Sequence, residues 1–179
     1  MARRALTGVL LVGGASERFG SPKALARVGD ETLAERAWRV LGEACDERLA
    51  FGKRGELELP FDIRDDDSDV RAPIAGVVAG LRAARHEIVV FLPVDCPHMS
   101  ADALRALGDA CSDAAVTRDG PLPGAWARSA LPVLERRLRE GQLALVGAYD
   151  ELDVAAVELD PRLVSDADTP QELEQLLRN

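Results

Sequence analysis

The feature that most constrains this chain is a glycine-rich loop that follows a short apolar run near the amino terminus. The run 8–12 predicts a buried strand that empties directly into the loop. The loop contains three glycines, an arginine and a lysine: Gly13, Gly14, Arg18, Gly20 and Lys23. Glycines let backbone N–H groups approach a ligand without a Cβ in the way, and a lysine adds a full positive charge. The loop therefore predicts a site for an anion such as a triphosphate.

Two well-known phosphate-binding loops do not match this stretch. A Walker A loop ends in Gly-Lys-Ser/Thr, whereas the residues after Gly20 read Ser-Pro-Lys-Ala. The dinucleotide fingerprint Gly-x-Gly-x-x-Gly fails because Gly13 and Gly14 are adjacent. Two interpretations are left. The loop is either another class of phosphate site or an ordinary glycine-rich turn with a solvated arginine and lysine.

Residues 11–25 resemble the opening pattern Leu-Ala-Gly-Gly-x-Ser-x-Arg-Met-Gly-x-Asp-Lys-Ala-Leu of a group of nucleotidyltransferases, above all the molybdenum cofactor guanylyltransferases. The matching positions are Leu11, Gly13, Gly14, Ser16, Arg18, Gly20, Lys23, Ala24 and Leu25, and the differing ones are Val12, Phe19 and Pro22. The resemblance implies that the nucleotide is bound by Leu11, Val12, Gly13, Gly14 and Lys23. It also implies that Lys23 and Arg18 take part in catalysis.

Composition narrows the class of protein further. With 179 residues and 47% hydrophobic residues, the chain can bury a substantial core, and we expect one domain over residues 1–179. The net charge of −9 weighs against nucleic acid as a partner, since sequence-independent binding to DNA or RNA needs an excess of Lys and Arg. A single nucleotide can still be held by a few local donors and a metal.

The cysteines and the amino terminus bear on the compartment. Cys45, Cys96 and Cys111 are odd in number and lack Cys-x-x-Cys spacing, so neither a disulfide framework nor a zinc site is indicated. The apolar stretch after Arg3 and Arg4 is too short for a signal peptide or a membrane span. We expect a reduced cytoplasmic protein without membrane association.

Strand-like and helix-like segments alternate along the chain. Strands are predicted at 8–12, 48–51, 61–64, 88–92, 114–117 and 154–159. Helices are predicted at 31–44 after Asp30, from Pro73, from Ser100, from Ser129 to near Gly141, and from Pro170 after a Thr169–Glu172 capping box. Helical spacing also predicts that Trp38 lies in the core. This alternation predicts an α/β fold, a three-layer α/β/α Rossmann-like domain with a mostly parallel central sheet and ligands beyond the carboxyl ends of the strands.

Asp95 follows the most apolar of the predicted strands, and Pro93 and Pro97 stiffen the backbone around it. A lone aspartate after a strand is often structural. However, Mg²⁺ is typically held by one or two carboxylates plus substrate phosphates, and the phosphate loop is expected next door. The resemblance agrees, since Asp95-Cys96-Pro97 matches the Asp-x-Pro that binds metal in the family. Asp95 is therefore expected to bind Mg²⁺ and to be catalytic.

An acidic stretch contains Asp65, Asp66, Asp67 and Asp69, and such a cluster is by default a solvated turn. Asp65 ends the predicted strand before the turn and lines up with the guanine-binding aspartate of the family. The resemblance therefore implies that Asp65 recognises the base of GTP. The following segment 72–76 resembles the family's Gly-Pro-Leu-Ala-Gly, which adds Gly76 to the expected nucleotide site.

The reaction implied by the resemblance is transfer of GMP from GTP to the phosphate of molybdopterin, with release of pyrophosphate. A phosphate monoester has a second pKa near 6, so the attacking oxygen is already an anion and needs no general base. The protein must supply alignment and charge neutralisation, which we assign to Mg²⁺, Lys23, Arg18 and backbone amides. His86 and His98 are expected to have no catalytic role. Transient contact with molybdoenzymes or other proteins of cofactor biosynthesis fits such a product.

Two departures from the family concern the site, and other functions stay open. The family often has Asn after its second strand, where this chain has Phe51-Gly52-Lys53. The family's closing Asn-x-Asn appears here as Asp166-Ala167-Asp168, which bears on metal or phosphate contacts. A cytidylyltransferase for the same pterin, or an enzyme acting on a sugar or polyol phosphate, would share the loop and Asp95. A nucleotide-sensing domain would need the loop but not Asp95.

Overall fold

The computed structural model of the protein describes residues 3–13, 22–53 and 57–178. Its eight strands are β1 (Leu6–Leu11), β2 (Arg27–Val28), β3 (Glu31–Thr32), β4 (Glu47–Phe51), β5 (Ile88–Pro93), β6 (Ala114–Thr117), β7 (Gly120–Ala127) and β8 (Val154–Val157). Six of them form one sheet in the order β4-β1-β5-β7-β6-β8, and β2 and β3 form a separate antiparallel pair.

The central sheet is mostly parallel, as the sequence predicts. β1 lies parallel to both β4 and β5, and β6 lies parallel to β8. β7 runs antiparallel to its two neighbours, β5 and β6. The sequence did not predict β7 as a strand, because its first half, Gly-Pro-Leu-Pro-Gly, is composed of residues that usually interrupt strands.

Helices cover both faces of this sheet. They are α1 (Leu33–Ala44), α2 (Pro73–Ala83), α3 (Ala101–Ala110), α4 (Leu131–Arg139), α5 (Pro161–Val164) and α6 (Pro170–Arg178), with 3₁₀ turns at Lys23–Leu25, Arg128–Ala130 and Leu145–Glu151. The apolar residues of α1, α3 and α6 share one core cluster, and those of α2 and α4 share the other. The three-layer α/β/α architecture is thereby confirmed. None of the helices in the described parts of the chain combines the length and apolarity needed to cross a membrane.

β5 shows why its sequence is apolar without interruption. Ile88, Val90 and Leu92 belong to the cluster on the α1 side of the sheet. Val89 and Phe91 belong to the cluster on the α2 side. Successive side chains of a strand point to opposite faces, and both faces of this strand are covered, so its first five residues are all buried.

The predicted helix boundaries are mostly confirmed, with two corrections. α1 is capped by Thr32, not by Asp30: Glu35 N–H donates to Thr32 Oγ1 at 3.1 Å, and Thr32 N–H donates to the Glu35 carboxylate at 2.7 Å. Asp30 lies in the turn between β2 and β3 beside Gly29, which has a φ of 64°. Ser129 does not cap α4 but donates its hydroxyl to Asp113 at 2.5 Å.

The predicted strand 61–64 reduces to a single parallel bridge between Phe51 and Arg64. Phe61 instead stacks on Trp38, with ring centroids 4.3 Å apart. Trp38 is half-buried, so its predicted place inside the core is wrong: it lies at the edge of the α1 cluster, with the Arg48 guanidinium 4.5 Å from its ring centroid. Segment 61–64 is therefore attached to α1 at one end and to the sheet edge at the other.

Candidate active site

The glycine-rich loop leaves the sheet between two neighbouring strand ends. Val94 N–H donates to the carbonyl of Leu11 at 3.2 Å, and Val12 N–H donates to the carbonyl of Phe51 at 3.0 Å. The exit of β1 is thus fixed to β5 on one side and to β4 on the other. The exposed Gly13 follows at this point, at the carboxyl edge of the sheet where ligands of such folds bind.

Lys23 connects this loop to two other segments of the chain. It opens the 3₁₀ turn Lys23–Leu25, and its ammonium lies 3.2 Å from Asp95 Oδ2 and 2.8 Å from Asp168 Oδ1. The Lys23 side chain is only 13% exposed. The structure therefore brings together two residues that the sequence assigns to the site, Lys23 and Asp95, and adds Asp168 to them.

The loop that carries Asp168 is held in place by local hydrogen bonds. Ala167 is fully buried, and its N–H donates to the carbonyl of Asp95 at 3.2 Å. The predicted capping box is confirmed: Glu172 N–H donates to Thr169 Oγ1 at 3.2 Å, and the Glu172 carboxylate accepts the N–H groups of Thr169 at 3.1 Å and Asp168 at 2.7 Å. The loop is therefore fixed to Asp95 on one side and to α6 on the other.

Asp95, Asp166 and Asp168 form a cluster of three carboxylates, in which one oxygen from each side chain lies within 4.8 Å of the others. Carboxylate oxygens are the ligands that Mg²⁺ and similar hard cations prefer. The three side chains could thus share one divalent cation. Sequence reasoning named Asp95 alone as a metal ligand. The Asp-x-Asp before the capping box was the available signal for the other two.

Charge around Lys23 affects two pKa values. Burial opposes the charge on Lys23, but the hydrogen bond to Asp168 and the charges of Asp95 and Asp168 outweigh it, so the pKa of Lys23 is raised. Burial, together with the negative charges of Asp95 and Asp166, also raises the pKa of the Cys96 thiol. Lys23 is therefore a stable cation at neutral pH, and Cys96 is an inert buried thiol.

Asp65 lies on the other side of Gly13, beyond the end of β4. It directly follows Arg64, whose backbone bridges Phe51. Its carboxylate is half-buried and accepts the N–H of Asp67 at 2.9 Å. The strand order β4-β1-β5 thus places Asp65 and Asp95 on opposite sides of the end of β1.

The remaining predicted nucleotide-binding residues either pack at the end of β1 or lie outside the described residues. Gly76 is buried, and a Cβ there would come within 2.8 Å of Leu11 Cδ2, so the first turn of α2 packs directly on the end of β1. Val12 is also buried. Gly14 and Arg18, together with the matching Ser16 and Gly20, fall in the stretch 14–21, outside the described residues.

His98 has a contact away from the carboxylates. Its Nε2 donates to the carbonyl of Leu176 at 2.8 Å, which joins the loop after β5 to α6. His86 lies at the other end of β5, with its Nδ1 3.0 Å from Thr7 Oγ1.

The fold and the loop are those of enzymes that transfer nucleotidyl groups, and comparison with known proteins makes this specific. Residues 8–155 match the model of the MobA-like NTP transferase domain. The chain belongs to this family and is a nucleotidyltransferase.

Relatives and solved structures agree with that assignment. A molybdenum cofactor guanylyltransferase of Burkholderia lata is 34% identical, with 99% of this chain and 98% of the relative covered. The crystal structure of molybdopterin-guanine dinucleotide biosynthesis protein A from Archaeoglobus fulgidus has a TM-score of 0.82 at 21% identity, covering 96% of this chain and 97% of that one. A Mycobacterium tuberculosis protein crystallised with manganese has a TM-score of 0.70 at 22% identity, covering 98% and 99%. The two structures support the fold.

Proposed function

We propose that this protein transfers GMP from GTP to the phosphate of molybdopterin, releases pyrophosphate, and requires Mg²⁺. The observation that carries the proposal is the convergence of Lys23, Asp95 and Asp168 at the edge of the sheet where the glycine-rich loop begins. The name of the Burkholderia lata relative supports the guanylyl group and the pterin acceptor. A single domain over 1–179, a cytoplasmic location and contact with molybdoenzymes remain predictions.

The chain's own residues have two tasks in this reaction, orientation and charge neutralisation. The acceptor phosphate is an anion at neutral pH because its second pKa is near 6, so no protein base is needed. Backbone N–H groups around Gly13, together with Lys23 and Arg18, would bind the triphosphate and stabilise the charge that develops on the leaving pyrophosphate. Fixing donor and acceptor phosphates in one orientation removes much of the entropic barrier.

The divalent cation would be held by Asp95, Asp166 and Asp168. Their oxygens suit a divalent cation such as Mg²⁺, because three hard donor atoms lie within 4.8 Å of one another. When bound, the cation supplies positive charge that neutralises the phosphate oxygens. A nucleotide-sensing domain would need the loop alone, so three carboxylates next to Lys23 favour catalysis over sensing.

Asp65 is the proposed base-recognition residue. Guanine presents N1–H and N2–H₂ side by side, and one carboxylate can accept from both. Adenine and cytosine place an acceptor nitrogen beside their amino group, which a carboxylate repels. Asp65 Oδ1 also accepts the N–H of Asp67, and one carboxylate with about four acceptor sites can accept several hydrogen bonds at once.

Initial rates of pyrophosphate release with GTP, CTP, ATP and UTP, each with molybdopterin, test the proposal. We expect GTP to be preferred by about a hundredfold or more, because the wrong base leaves a carboxylate unpaired. Asp65→Ala should remove most of this preference while the protein stays folded. Equal use of CTP, or an unchanged preference in Asp65→Ala, would show that the base pocket is assigned wrongly. Activity with a sugar or polyol phosphate in place of molybdopterin would overturn the acceptor.

A further inference from the structure

We propose that Lys53 is a positioning residue that sets the base preference by holding the acidic loop 65–69 in one conformation. The inference rests on the proposed role of Asp65 in guanine recognition. Lys53 lies two residues beyond the end of β4, outside the group formed by Lys23 and the three aspartates.

The contacts of Lys53 are with the acidic loop. Its ammonium donates to Asp66 Oδ1 at 2.5 Å and also to the backbone carbonyl of Ser68. The Lys53 side chain is 20% exposed and that of Asp66 is 11% exposed. An ion pair shielded from water to this degree is screened less than a surface pair, so its loss should have a measurable effect.

The acidic loop is a tight turn that places like charges together. Asp66 Oδ1 accepts the N–H of Ser68 at 3.0 Å, and Asp65 Oδ1 accepts the N–H of Asp67 at 2.9 Å. Asp67 has a φ of 52°, a left-handed conformation that is uncommon for a residue with a side chain. Four carboxylates within five residues repel one another, and Lys53 places a positive charge inside the turn.

The backbone before the turn is tied to the same end of the sheet. Gly52 N–H donates to the carbonyl of Arg64 at 3.0 Å, and Arg64 N–H donates to the carbonyl of Ala50 at 2.9 Å. A Cβ at Gly52 would lie 2.6 Å from Val12 Cγ2, so this strand end packs directly against the start of the glycine-rich loop.

Asp65 is therefore held from both sides. The backbone of Arg64, which precedes it, pairs with β4, and the side chain of Asp66, which follows it, pairs with Lys53. The two attachments lie within four residues of each other on β4 and the segment after it. This fixes the distance and direction of the Asp65 backbone relative to Gly13.

Lys53 lies where the family often has an asparagine after its second strand. It cannot make all the hydrogen bonds to a base that an asparagine can make. An ammonium has three donors and no acceptor, so it cannot accept the N1–H or N2–H₂ of guanine. The 2-amino group of guanine can only donate, so the influence of Lys53 on the recognition of that group must pass through the loop that it binds. This is the chemical reason to assign it a positioning role.

The test compares GTP with ITP, which lacks only the 2-amino group. Asp65 is proposed to accept a hydrogen bond from that group. In Lys53→Met, we expect the GTP-to-ITP ratio of kcat/KM to fall about tenfold, which corresponds to the loss of one hydrogen bond to a charged group. The loss should appear as a higher KM for GTP, with kcat within about twofold. Inhibition by tripolyphosphate, which contains no base, should be unchanged.

Several variants separate positioning from stability. Asp66→Asn should reproduce the effect of Lys53→Met, the double variant should add little to either, and Lys53→Arg should restore part of the ratio. Arg82→Met is the matched control, since it removes the ion pair at 2.7 Å between Arg82 on α2 and Glu135 on α4 without touching the acidic loop. A lower melting temperature with an unchanged ratio in Lys53→Met would overturn the proposal.

Asp65→Ala distinguishes failure of this inference from failure of the proposed function. If Asp65→Ala removes the GTP-to-ITP preference and neither Lys53→Met nor Asp66→Asn changes it, the positioning role is overturned and the proposed base pocket stands. If Asp65→Ala leaves the preference intact, the base pocket is wrong and the positioning role falls with it.

Discussion

Lys23 donates a hydrogen bond to Asp168 at 2.8 Å, although 145 residues separate them in the chain. The contact joins the 3₁₀ turn Lys23–Leu25 to the loop before α6. Asp95, the second partner of Lys23, is tied to the same loop through the N–H of Ala167. The ammonium therefore lies among the carboxylates that we propose as cation ligands, and this arrangement makes opposite predictions for turnover and for cation binding.

Turnover should fall by about a hundredfold or more in Lys23→Ala, the cost typical of removing one group that stabilises developing charge. The side chain lies at the carboxyl edge of the sheet, so the fold should persist. Rates of pyrophosphate release and a circular dichroism melt measure both quantities. Near-normal turnover in the folded variant would remove Lys23 from the catalytic set.

Binding of Mn²⁺ without nucleotide should become tighter in Lys23→Met. In the wild type, the ammonium already neutralises Asp95 and Asp168, and a cation must compete with it for their oxygens. Without that charge the three carboxylates attract a divalent cation more strongly. We expect the Kd for Mn²⁺ to fall about tenfold, which corresponds to about 1.4 kcal/mol of binding free energy. Electron paramagnetic resonance of free Mn²⁺ measures this Kd. Unchanged or weaker binding would show that the cation and Lys23 use different oxygens.

Asp95→Asn should abolish most of the metal-dependent activity, because an amide presents one neutral oxygen where Mg²⁺ prefers a carboxylate. A magnesium titration of the initial rate should show a higher half-saturation point and a lower maximal rate. Asp109→Asn, an exposed substitution on α3, serves as the control. If Asp95→Asn matches that control in both parameters, Asp95 is only a turn residue.

The parts of the structure that were predictable from the sequence depend on signals within a few residues. The uninterrupted apolar run of β5, the proline that begins α2, and the Thr169–Glu172 capping box each specify a local structure, and each is confirmed. Asp30 and Thr32 show the limit of such signals. Both are good capping residues, and the choice depends on the β2–β3 turn at Gly29.

The other features of the structure could not be predicted from neighbouring residues, because they depend on pairing between segments that are distant in the sequence. β7 becomes a strand between β5 and β6 despite its prolines and glycines. The Lys53–Asp66 and Lys23–Asp168 pairs depend on which strand ends meet at the edge of the sheet. The sequence identified Asp95 as a ligand candidate, but the positions of Asp166 and Asp168 beside it follow from the docking of the loop through buried Ala167.

Acid stability should depend on Glu47, at the opposite end of the sheet. Its carboxylate accepts the hydroxyl of fully buried Thr7 at 2.7 Å and the N–H of Arg85 at 2.9 Å. Burial alone would raise the pKa of Glu47, but these hydrogen bonds and the charges of Arg85 and His86 outweigh it and lower the pKa below 4.5. A depressed pKa means that the folded state holds the proton less tightly than the unfolded state. The stabilisation is therefore present above about pH 4.5 and is lost as the pH falls through the pKa of the folded state.

Glu47→Gln should accordingly lower the free energy of unfolding by about 1.5–3 kcal/mol at pH 7, the range for hydrogen bonds to a charged group. Because wild-type Glu47 loses its own advantage when it is protonated, the difference between the two proteins should shrink as the pH falls from 5 to 3. Urea unfolding at several pH values measures the difference directly. Glu158→Gln, at an exposed position after β8, controls for the change in net charge. A difference that stays constant across this pH range would show that Glu47 contributes through packing and not through its charge.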